Sequence, residues 1–348
     1  MEKQKDILLL FLLKNFCQNN GIEDKYSPIK KKLEEEQLIE KDLEEKSLVL
    51  NKKINDYLPI KKKIDMSNIN FYENIGSGSF GNVFKCLHKI DRNNYAIKIV
   101  PVYNDVNKQK YMNEVEMMSK LDHPNIVRYY NSWIESILPQ DFDKEKLCLE
   151  DYSSNSSEIV EYEINEFLFI QMELCFGNLK NYFQTRPEVE YTKSKSFFVD
   201  ILTGLDYLHS QNIIHRDIKP SNIMFDKNEK AKIGDFGMSI KFENEAFEII
   251  KTDNEYGSYN YLAPETIDKR EYSMKSDIYS LGIILFELIN YMGTFMERQE
   301  KINSLKKNIN IEHEIIDKYP KEIELVKKML DVEIMKRPSC GTILKAIK

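Results

Sequence analysis

The feature that most constrains the fold is a polar run between two apolar pairs at residues 213–225, IIHRDIKPSNIMF. The apolar pairs indicate that the stretch lies inside the protein. The polar side chains between them are His215, Arg216, Asp217, Lys219, Ser221 and Asn222. Burying that many polar groups without partners would cost several kcal/mol for each. The chain must therefore fold so that other polar groups, or a ligand, reach this loop.

Length and composition are those of a large globular protein without a strong charge bias. The chain has 348 residues, of which 42% are hydrophobic, enough for two domains or one bilobal domain. Its formal net charge is -7 with both signs interspersed, which argues against a dedicated nucleic-acid-binding protein. The five cysteines are scattered and form no C-x-x-C pair, so neither a disulfide framework nor a zinc site is supported. We expect a reduced, cytoplasmic protein.

The amino-terminal residues 1–66 are predicted to form a helical, candidate regulatory region. The apolar run ILLLFLL at 7–13 is too short to span a bilayer, and no small-residue cleavage site follows it. We therefore expect a buried helix there. Ser27 and Pro28 fit the N-cap and first turn of a second, charged helix. Its leucine and isoleucine stripe would dock on another domain or chain, or the helix would be a solvated extension.

Residues 67–348 are predicted to form an α+β domain in two lobes. Strand patterns, among them NIVRYYNSWIE and the later EFLFIQMEL, and one helix at about 106–121 make up a small lobe at about 67–175. An acidic, Ser- and Asn-rich stretch at about 138–165 predicts a surface insertion. Helical periodicity then dominates, as in KSFFVDILTGLDYLHS, which predicts a large, mostly α lobe at about 176–348.

Three glycines, Gly76, Gly78 and Gly81, lie in the segment GSGSFGNV within a strand–turn–strand pattern. Glycine lets backbone N–H groups close over phosphates without a Cβ clash. The pattern alone also fits a dinucleotide-binding fingerprint or a plain hairpin. Because a strand follows rather than a helix, we reject the dinucleotide-binding fingerprint. A phosphate-covering hairpin and a plain hairpin remain.

Lys98 ends the strand pattern YAIK and has apolar neighbours on both sides. A lysine in a strand is normally a solvated surface residue. In these surroundings, however, its ammonium group needs a nearby anion. Glu114 in the predicted helix is the candidate partner, and Glu116 is the competitor.

Further polar positions fit a site for a metal and a nucleotide. Asn222 and Asp235 supply two oxygen ligands, which suit Mg²⁺ because it takes its other ligands from phosphates and water. Asp217 remains as the acceptor for a substrate hydroxyl proton, and Lys219 as a cation near the phosphoryl group. For each residue alone, a buried structural network is the alternative. The whole set favours phosphoryl transfer.

The segments GSGSFGNV, YAIK, HRDIKPSN, DFG and APE occur in the order and spacing of the protein kinase signature set. Over about 70–348 the sequence therefore resembles a protein kinase. The resemblance implies the two-lobed kinase fold, with a small antiparallel β lobe containing one helix, a large, mostly α lobe, and ATP between them. Lys219 resembles the serine/threonine type, and Asp277 and Arg337 match positions that support the large lobe.

The resemblance also assigns nucleotide-binding residues one by one. Ile75, Val83 and Ala96 would enclose the adenine, with Met172 as the gatekeeper beside it. Backbone groups of the hinge residues Glu173 and Cys175 would bind the adenine edge. The full set is Ile75, Gly76, Ser77, Gly78, Ser79, Phe80, Gly81, Asn82, Val83, Ala96, Lys98, Met172, Glu173 and Cys175.

Three stretches resemble the kinases of the alpha subunit of translation initiation factor 2: HPNIVRYYNSWIE, LFIQMELC and GTFMERQEKINSLKK. In the last, Thr294, Glu297 and Arg298 match the T-x-M-E-R pattern of a substrate-docking helix; an exposed amphipathic helix is the alternative. ILLLFLLKNFC near the amino terminus resembles the haem-regulated member. Haem sensing in that branch uses an N-terminal histidine and a Cys-Pro motif. Here all histidines lie in the kinase region and no cysteine precedes a proline.

The activation segment would run from Asp235 to Glu265. Thr252 and Ser258 are the predicted autophosphorylation sites, and a phosphate there could pair with Arg216. The Ser258 hydroxyl could also bond the catalytic residues directly. By resemblance, the active form would be a homodimer through the small lobes, with Tyr129 near the contact.

We expect a serine/threonine protein kinase that uses ATP and Mg²⁺ to phosphorylate a serine of initiation factor 2 alpha, lowering translation initiation under stress. The sequence indicates no direct nucleic-acid partner and no membrane partner. One alternative is a Wee-type cell-cycle kinase, whose glycine loop is similar but which tends to alter HRD, DFG and APE. The other is a scaffold that binds a partner through residues 1–66.

Overall fold

The computed structural model describes residues 68–78, 81–102, 105–136, 166–242, 250–251, 259–308 and 311–347. The helices expected in residues 1–66 and the acidic insertion at about 138–165 lie outside the described residues. Within the described ranges, every helix is too short or too polar to cross a bilayer.

A five-stranded antiparallel sheet forms the small lobe, in the order β1-β2-β3-β5-β4. Its strands are β1 (Ile69–Gly78), β2 (Gly81–His88), β3 (Asn94–Val102), β4 (Tyr129–Ser136) and β5 (Glu166–Glu173). β3 is buried on both faces from Ala96 to Val102, which matches its nearly continuous apolar run. The predicted strand-rich small lobe is confirmed.

The helix of the small lobe, α1 (Asp105–Ser119), lies close to the predicted position. The next strand is shorter than its sequence pattern indicates, because β4 begins at Tyr129 rather than at Asn125. The residues before it pair with the large lobe instead. Val127 N–H donates to Ile233 O at 2.9 Å, and Ile233 N–H donates to Asn125 O at 2.8 Å. An apolar alternation cannot show which element its backbone will pair with.

The large lobe consists mainly of helices. They are α2 (Leu179–Thr185), α3 (Tyr191–Ser210), α4 (Pro264–Lys269), α5 (Met274–Ile289), α6 (Phe295–Asn308), α7 (His313–Lys318), α8 (Pro320–Met329) and α9 (Cys340–Ile347). Short antiparallel ladders join β6 (Ile213–Ile214) to β9 (Ile240–Lys241), β7 (Ile223–Phe225) to β8 (Ala231–Ile233), and β10 (Ile250–Lys251) to β11 (Glu271–Tyr272). The first two ladders flank the polar run that the sequence places inside the protein.

The centre of the large lobe is α5, which is buried from Ser276 to Ile289. A helix that is apolar around its whole circumference is typical of a core position. α3 packs against it. The predicted helix KSFFVDILTGLDYLHS is confirmed as part of α3. The packing leaves no room at Gly204 of α3, where a Cβ atom would lie 2.7 Å from Asn125 O.

We predict that Gly204→Ala destabilises the protein although alanine favours helices. The methyl group would overlap the Asn125 backbone, and such overpacking costs about 1–3 kcal/mol. Gly341→Ala in α9 is the control, because a Cβ atom there meets only Asp206 Oδ1 at 3.8 Å. Urea unfolding should show a lower midpoint for the first variant and an equal or slightly higher one for the second. Equal midpoints for both would contradict the close contact.

Candidate active site

The polar loop between β6 and β7 is held by one buried carboxylate, that of Asp277 at the start of α5. Asp277 is 1% exposed. Its Oδ2 accepts the His215 N–H at 2.9 Å and its Oδ1 accepts the Arg216 N–H at 2.9 Å. His209 Nε2 also donates to Oδ2, at 3.0 Å. These bonds hold Arg216 at a φ of 66°, a left-handed conformation that is costly outside glycine.

Other members of the loop satisfy one another. His215 is fully buried; its Nδ1 accepts the Asp217 N–H at 3.3 Å, so Nε2 carries the proton and donates to Gly234 O at 3.1 Å. Asn222 Nδ2 donates to both Asp217 O and Asp217 Oδ2, each at 2.9 Å. Lys219 Nζ lies 2.7 Å from the same Oδ2. These contacts account for most of the polar atoms that the sequence buries.

One atom of the loop is left over. Asp217 is 4% exposed, and its Oδ1 has no hydrogen-bond partner among the described residues. Buried carboxylate oxygens are almost always paired in folded proteins. An oxygen left unpaired at this point fits an acceptor for a hydroxyl group that arrives with a ligand.

Lys98 of β3 connects the sheet to the loop after β8. Its Nζ lies 3.4 Å from Glu114 Oε1 of α1 and 3.3 Å from Asp235 Oδ1. Burial alone would lower the pKa of Lys98, but the two carboxylates outweigh it and the pKa is raised. Glu114 is therefore the partner expected from the sequence, while Glu116 pairs on the surface with Lys120 at 2.6 Å.

Asp235 completes the connection to the polar loop between β6 and β7, which contains Asp217 and is called the catalytic loop from here on. Burial would raise the pKa of its carboxyl, but the charge of Lys98 and its hydrogen bond, together with the charge of Lys219, outweigh burial and the pKa is lowered. Gly234 N–H, one residue earlier, donates to Asn222 O at 2.9 Å. Lys98, Asp235, Lys219 and Asp217 thus form one chain of contacts and charge interactions across a single crevice.

The nucleotide residues on the central strands share the face that carries Lys98. Val83 lies opposite Lys98, and Met172 lies opposite Ala96. Paired residues of antiparallel strands point to the same side, so these four side chains line one surface. Asn82 pairs with Ile99 instead, and its buried side chain points to the other side. Strand alternation turns this side chain away from the nucleotide face, so a contact of Asn82 with the nucleotide would be made by its backbone, and its place in the nucleotide-binding set stays a prediction.

The glycine hairpin joins β1 to β2. Gly81 has a φ of 123°, and a Cβ atom there would lie 2.3 Å from Ile99 O, so only glycine fits. Ile75 is 43% exposed at the mouth of the hairpin. Gly76, Ser77 and Gly78 belong to β1, whereas Ser79 and Phe80 lie outside the described residues.

The predicted hinge follows β5. Glu173 N–H donates to Arg128 O at 2.8 Å, so this N–H is committed within the fold. The Glu173 carboxylate pairs with Lys232 at 2.9 Å, which ties the hinge to β8. Burial raises the pKa of the Cys175 thiol to about 12. Lys232 and His209 were not expected from the sequence, because no motif marks them and only the register of β8 and the packing of α3 bring them here.

The predicted metal ligands are an amide and a carboxylate, and they fit a hard divalent cation. Asn222 and Asp235 lie on segments joined by the Gly234–Asn222 bond. The described part of the chain holds no group of three or more His, Cys, Asp or Glu side chains that could enclose a metal without a further ligand. Magnesium matches this sparse set, because it usually takes most of its oxygens from phosphates and water.

The predicted docking residues lie at the start of α6. Thr294 Oγ1 accepts the Glu297 N–H at 3.1 Å, and Glu297 Oε2 accepts the Gly293 N–H at 2.9 Å. Arg298 faces inward, where it bonds Glu287 of α5 and lies 2.5 Å from the Tyr261 hydroxyl. The prediction that Arg298 reaches a substrate is corrected on this ground, because its guanidinium is occupied within the fold. Thr252 and Ser258 lie outside the described residues.

Residues 69–346 match the family described as the protein kinase domain. The chain belongs to the protein kinase family. The match confirms the predicted α+β kinase fold and the prediction of a protein kinase enzyme. Use of ATP and a divalent metal ion follows from the family.

Particular kinases are similar over most of this chain. It is 35% identical over 278 residues to the interferon-induced, double-stranded RNA-activated protein kinase of Mus musculus, covering 79% of this chain and 50% of that protein. It is 31% identical over 298 residues to the eIF-2-alpha kinase GCN2 of Arabidopsis thaliana, covering 78% and 24%. The membrane-associated tyrosine- and threonine-specific cdc2-inhibitory kinase wee-1.1 of Caenorhabditis elegans is 30% identical over 283 residues, covering 79% of this chain and 53% of that protein.

The chain thus spans about half the length, or less, of these curated relatives. The predicted resemblance to kinases of initiation factor 2 alpha is confirmed at the level of similarity. The haem-regulated subtype stays a prediction.

We predict that Glu114→Gln lowers the turnover of ATP on the order of 10²-fold, because Lys98 would lose one of its two carboxylates and misplace the phosphates. Glu116→Gln is the matched control two residues away, and its turnover should equal that of the unmodified protein. Steady-state kinetics of ADP release measures both. An equal loss of turnover in the two variants would contradict a specific role of Glu114 in holding Lys98.

We predict that Asp217→Asn keeps ATP affinity but slows phosphoryl transfer by on the order of 10²–10⁴. The amide retains the shape of the side chain, but it presents only one acceptor oxygen and cannot take a hydroxyl proton. Calorimetry with ATP and Mg²⁺ gives the affinity, and a single-turnover assay gives the rate. Undiminished turnover with equal affinity would remove Asp217 from the reaction.

Proposed function

We propose that this chain is a serine/threonine protein kinase that transfers the γ-phosphoryl group of ATP to a serine of the alpha subunit of translation initiation factor 2. The observation that carries the proposal is the connected chain from Lys98 to Asp217, with Asp217 Oδ1 buried and unpaired among the described residues. This arrangement supports phosphoryl transfer, because that chemistry needs positioning and charge stabilisation more than covalent catalysis.

Each residue of the crevice has a distinct part in the proposed reaction. Lys98, held by Glu114 and Asp235, binds phosphate oxygens and keeps the nucleotide in place. Asp217 accepts the proton of the acceptor hydroxyl at its free oxygen, while Lys219 on its other oxygen stabilises negative charge on the moving phosphoryl group. Asn222 and Asp235 would hold Mg²⁺, which supplies charge neutralisation at the phosphates.

The start of α6 supports a separate contact with an intact protein substrate. Phe295 is 68% exposed and Met296 is 77% exposed, and both follow the Thr294 cap directly. Adjacent exposed apolar side chains of this size mark interaction sites on protein surfaces. We therefore assign docking to the exposed side of residues 294–297, with Thr294 and Glu297 shaping the helix start.

The proposal extends to regulation. Thr252 and Ser258 would be autophosphorylated, residues 1–66 would carry a regulatory input, and the active form would be a cytoplasmic homodimer that lowers translation under stress. These statements rest on the resemblance of the sequence. Deleting residues 1–66 tests whether they carry a regulatory input. Unchanged kinase activity and unchanged control after the deletion would reject that role.

A Wee-type kinase is the second candidate, favoured by the 30% identity to the Caenorhabditis elegans relative. The two functions differ in the acceptor. The proposed kinase would label serine in initiation factor 2 alpha, whereas the other would label tyrosine or threonine in a cell-cycle kinase, as that relative's name describes. Identification of the labelled amino acid separates them.

The testing experiment incubates the purified chain with ATP and Mg²⁺ and either the intact initiation factor subunit or a generic basic protein. We predict that Met296→Ala lowers phosphorylation of the intact subunit about tenfold relative to the basic protein, since a docking side chain contributes roughly 1.4 kcal/mol. Met335→Ala is the control, because Met335 is 70% exposed and lies outside α6. Labelling of the basic protein without labelling of the subunit would reject the proposed substrate.

A further inference from the structure

Lys306, near the end of α6, contacts a tyrosine of the segment that leads from Asp235 to α4. Its Nζ donates to Tyr259 O at 2.9 Å and lies 5.2 Å from the centroid of the Tyr259 ring. The same carbonyl also accepts the Leu262 N–H at 3.3 Å. Lys306 therefore holds both the backbone and the ring of Tyr259, the ring through a cation–π contact.

This contact differs from an ordinary surface ion pair. Burial lowers the pKa of Lys306 to about 8, and no carboxylate of the described residues lies within ion-pair distance to offset it. Lys301, one turn earlier on the same helix, pairs with Glu297 at 3.1 Å and Glu312 at 3.2 Å. The contacts of the Lys306 ammonium group among the described residues are therefore the Tyr259 carbonyl and ring rather than a carboxylate.

The other end of α6 holds the same turn. Arg298 bonds the Tyr261 hydroxyl at 2.5 Å, and that hydroxyl donates to Glu287 Oε2 of α5 at 2.8 Å. Arg298 and Lys306 are separated by about 12 Å along the helix axis. The turn Tyr259–Tyr261 is thus attached to α6 at two separated points and to α5 at a third.

Tyr259 itself is available to a partner. It is 62% exposed, although the residue two positions later is buried. Exposed tyrosines are enriched in protein interfaces because they offer a large rigid ring and a hydroxyl group. The ring lies on the segment between the catalytic crevice and α4, and it is fixed to the helix that bears the proposed docking residues.

We propose that Tyr259 is a substrate-contact residue and that Lys306 is its positioning residue, which holds the ring at a set distance from the docking end of α6. The inference rests on the proposed function, since it requires a folded protein substrate that engages both places. A folded substrate presents its acceptor hydroxyl and its docking surface at a fixed distance. The spacing between Tyr259 and the start of α6 would therefore favour a folded protein over a short peptide. Loss of Lys306 should weaken binding of such a substrate and leave the chemical step in place.

The variants are Lys306→Met, which keeps length without charge, and Lys306→Arg, which keeps a cation and donors. Lys307→Met is the matched control, because Lys307 is the exposed neighbour on the same helix. We expect the KM for the intact initiation factor subunit to rise about tenfold in Lys306→Met, as loss of one cation–π contact and one hydrogen bond predicts, with kcat retained. Lys306→Arg and Lys307→Met should stay within about twofold of the unmodified protein.

A second measurement is independent of activity. Hydrogen exchange at the Leu262 amide should be faster in Lys306→Met than in Lys307→Met, since the Tyr259 carbonyl that it bonds is no longer held. If Lys306→Met does not fold, Tyr259→Ala replaces it, with Tyr259→Phe as the control that keeps the aromatic ring; both variants keep the backbone carbonyl. Tyr259→Ala should then raise the KM and Tyr259→Phe should not.

The outcomes separate the inference from the proposed function. Equal KM values for Lys306→Met and Lys307→Met, or an arginine variant as weak as the methionine variant, overturn the inference. If the unmodified chain labels another protein but not the initiation factor subunit, the proposed substrate fails, and the same comparison is made on the labelled protein. If it labels no protein, hydrogen exchange decides, and equal exchange in both variants overturns the inference.

Discussion

The structure depends on the mutual neutralisation of charges that the fold takes out of water. Lys98 is 8% exposed and Asp217 is 4% exposed, and neither could be buried alone without a large desolvation cost. Glu114 and Asp235 flank the first, and Lys219 and Asn222 bond the second. Each lobe supplies part of this set, so the crevice is stable only when β3, α1 and the catalytic loop meet. Within this set, Asp217 Oδ1 is the atom that has no hydrogen-bond partner among the described residues.

A second set of buried contacts, made by α5, holds the catalytic loop that carries part of these charges. The Asp277 carboxylate takes two backbone N–H groups of the catalytic loop, and it does so from α5, the most deeply buried helix of the large lobe. The same helix provides Glu287, whose pKa is raised by burial although Arg298 lies against it. One rigid helix thus positions both the catalytic loop and α6. The chemistry and the proposed substrate surface share a common support.

This arrangement explains why α6 can combine an exposed start with an interior anchor. Phe295 and Met296 project to solvent, while Arg298, two residues later, is fixed to Glu287 and Tyr261. A helix turns about 100° per residue, so residues close in sequence lie on different sides of α6. One side is exposed to solvent, and the other packs against the large lobe. Lys306 repeats the inward attachment further along. The crevice and the proposed docking residues are therefore connected through packed side chains as well as through the chain between them.

The kinase class, the two lobes and the charged residues of the crevice could be predicted from local sequence, because glycine, lysine and acidic residues at these spacings serve few other chemistries. The sequence also favoured Glu114 over Glu116 as the partner of Lys98, and the contact of 3.4 Å confirms this choice. Three features could not be predicted in this way: the Asn82 side chain turns away from the nucleotide face, β4 begins at Tyr129, and Arg298 points inward. The reason is physical: strand register, backbone pairing between lobes and helix rotation depend on contacts between distant segments, which local patterns do not contain.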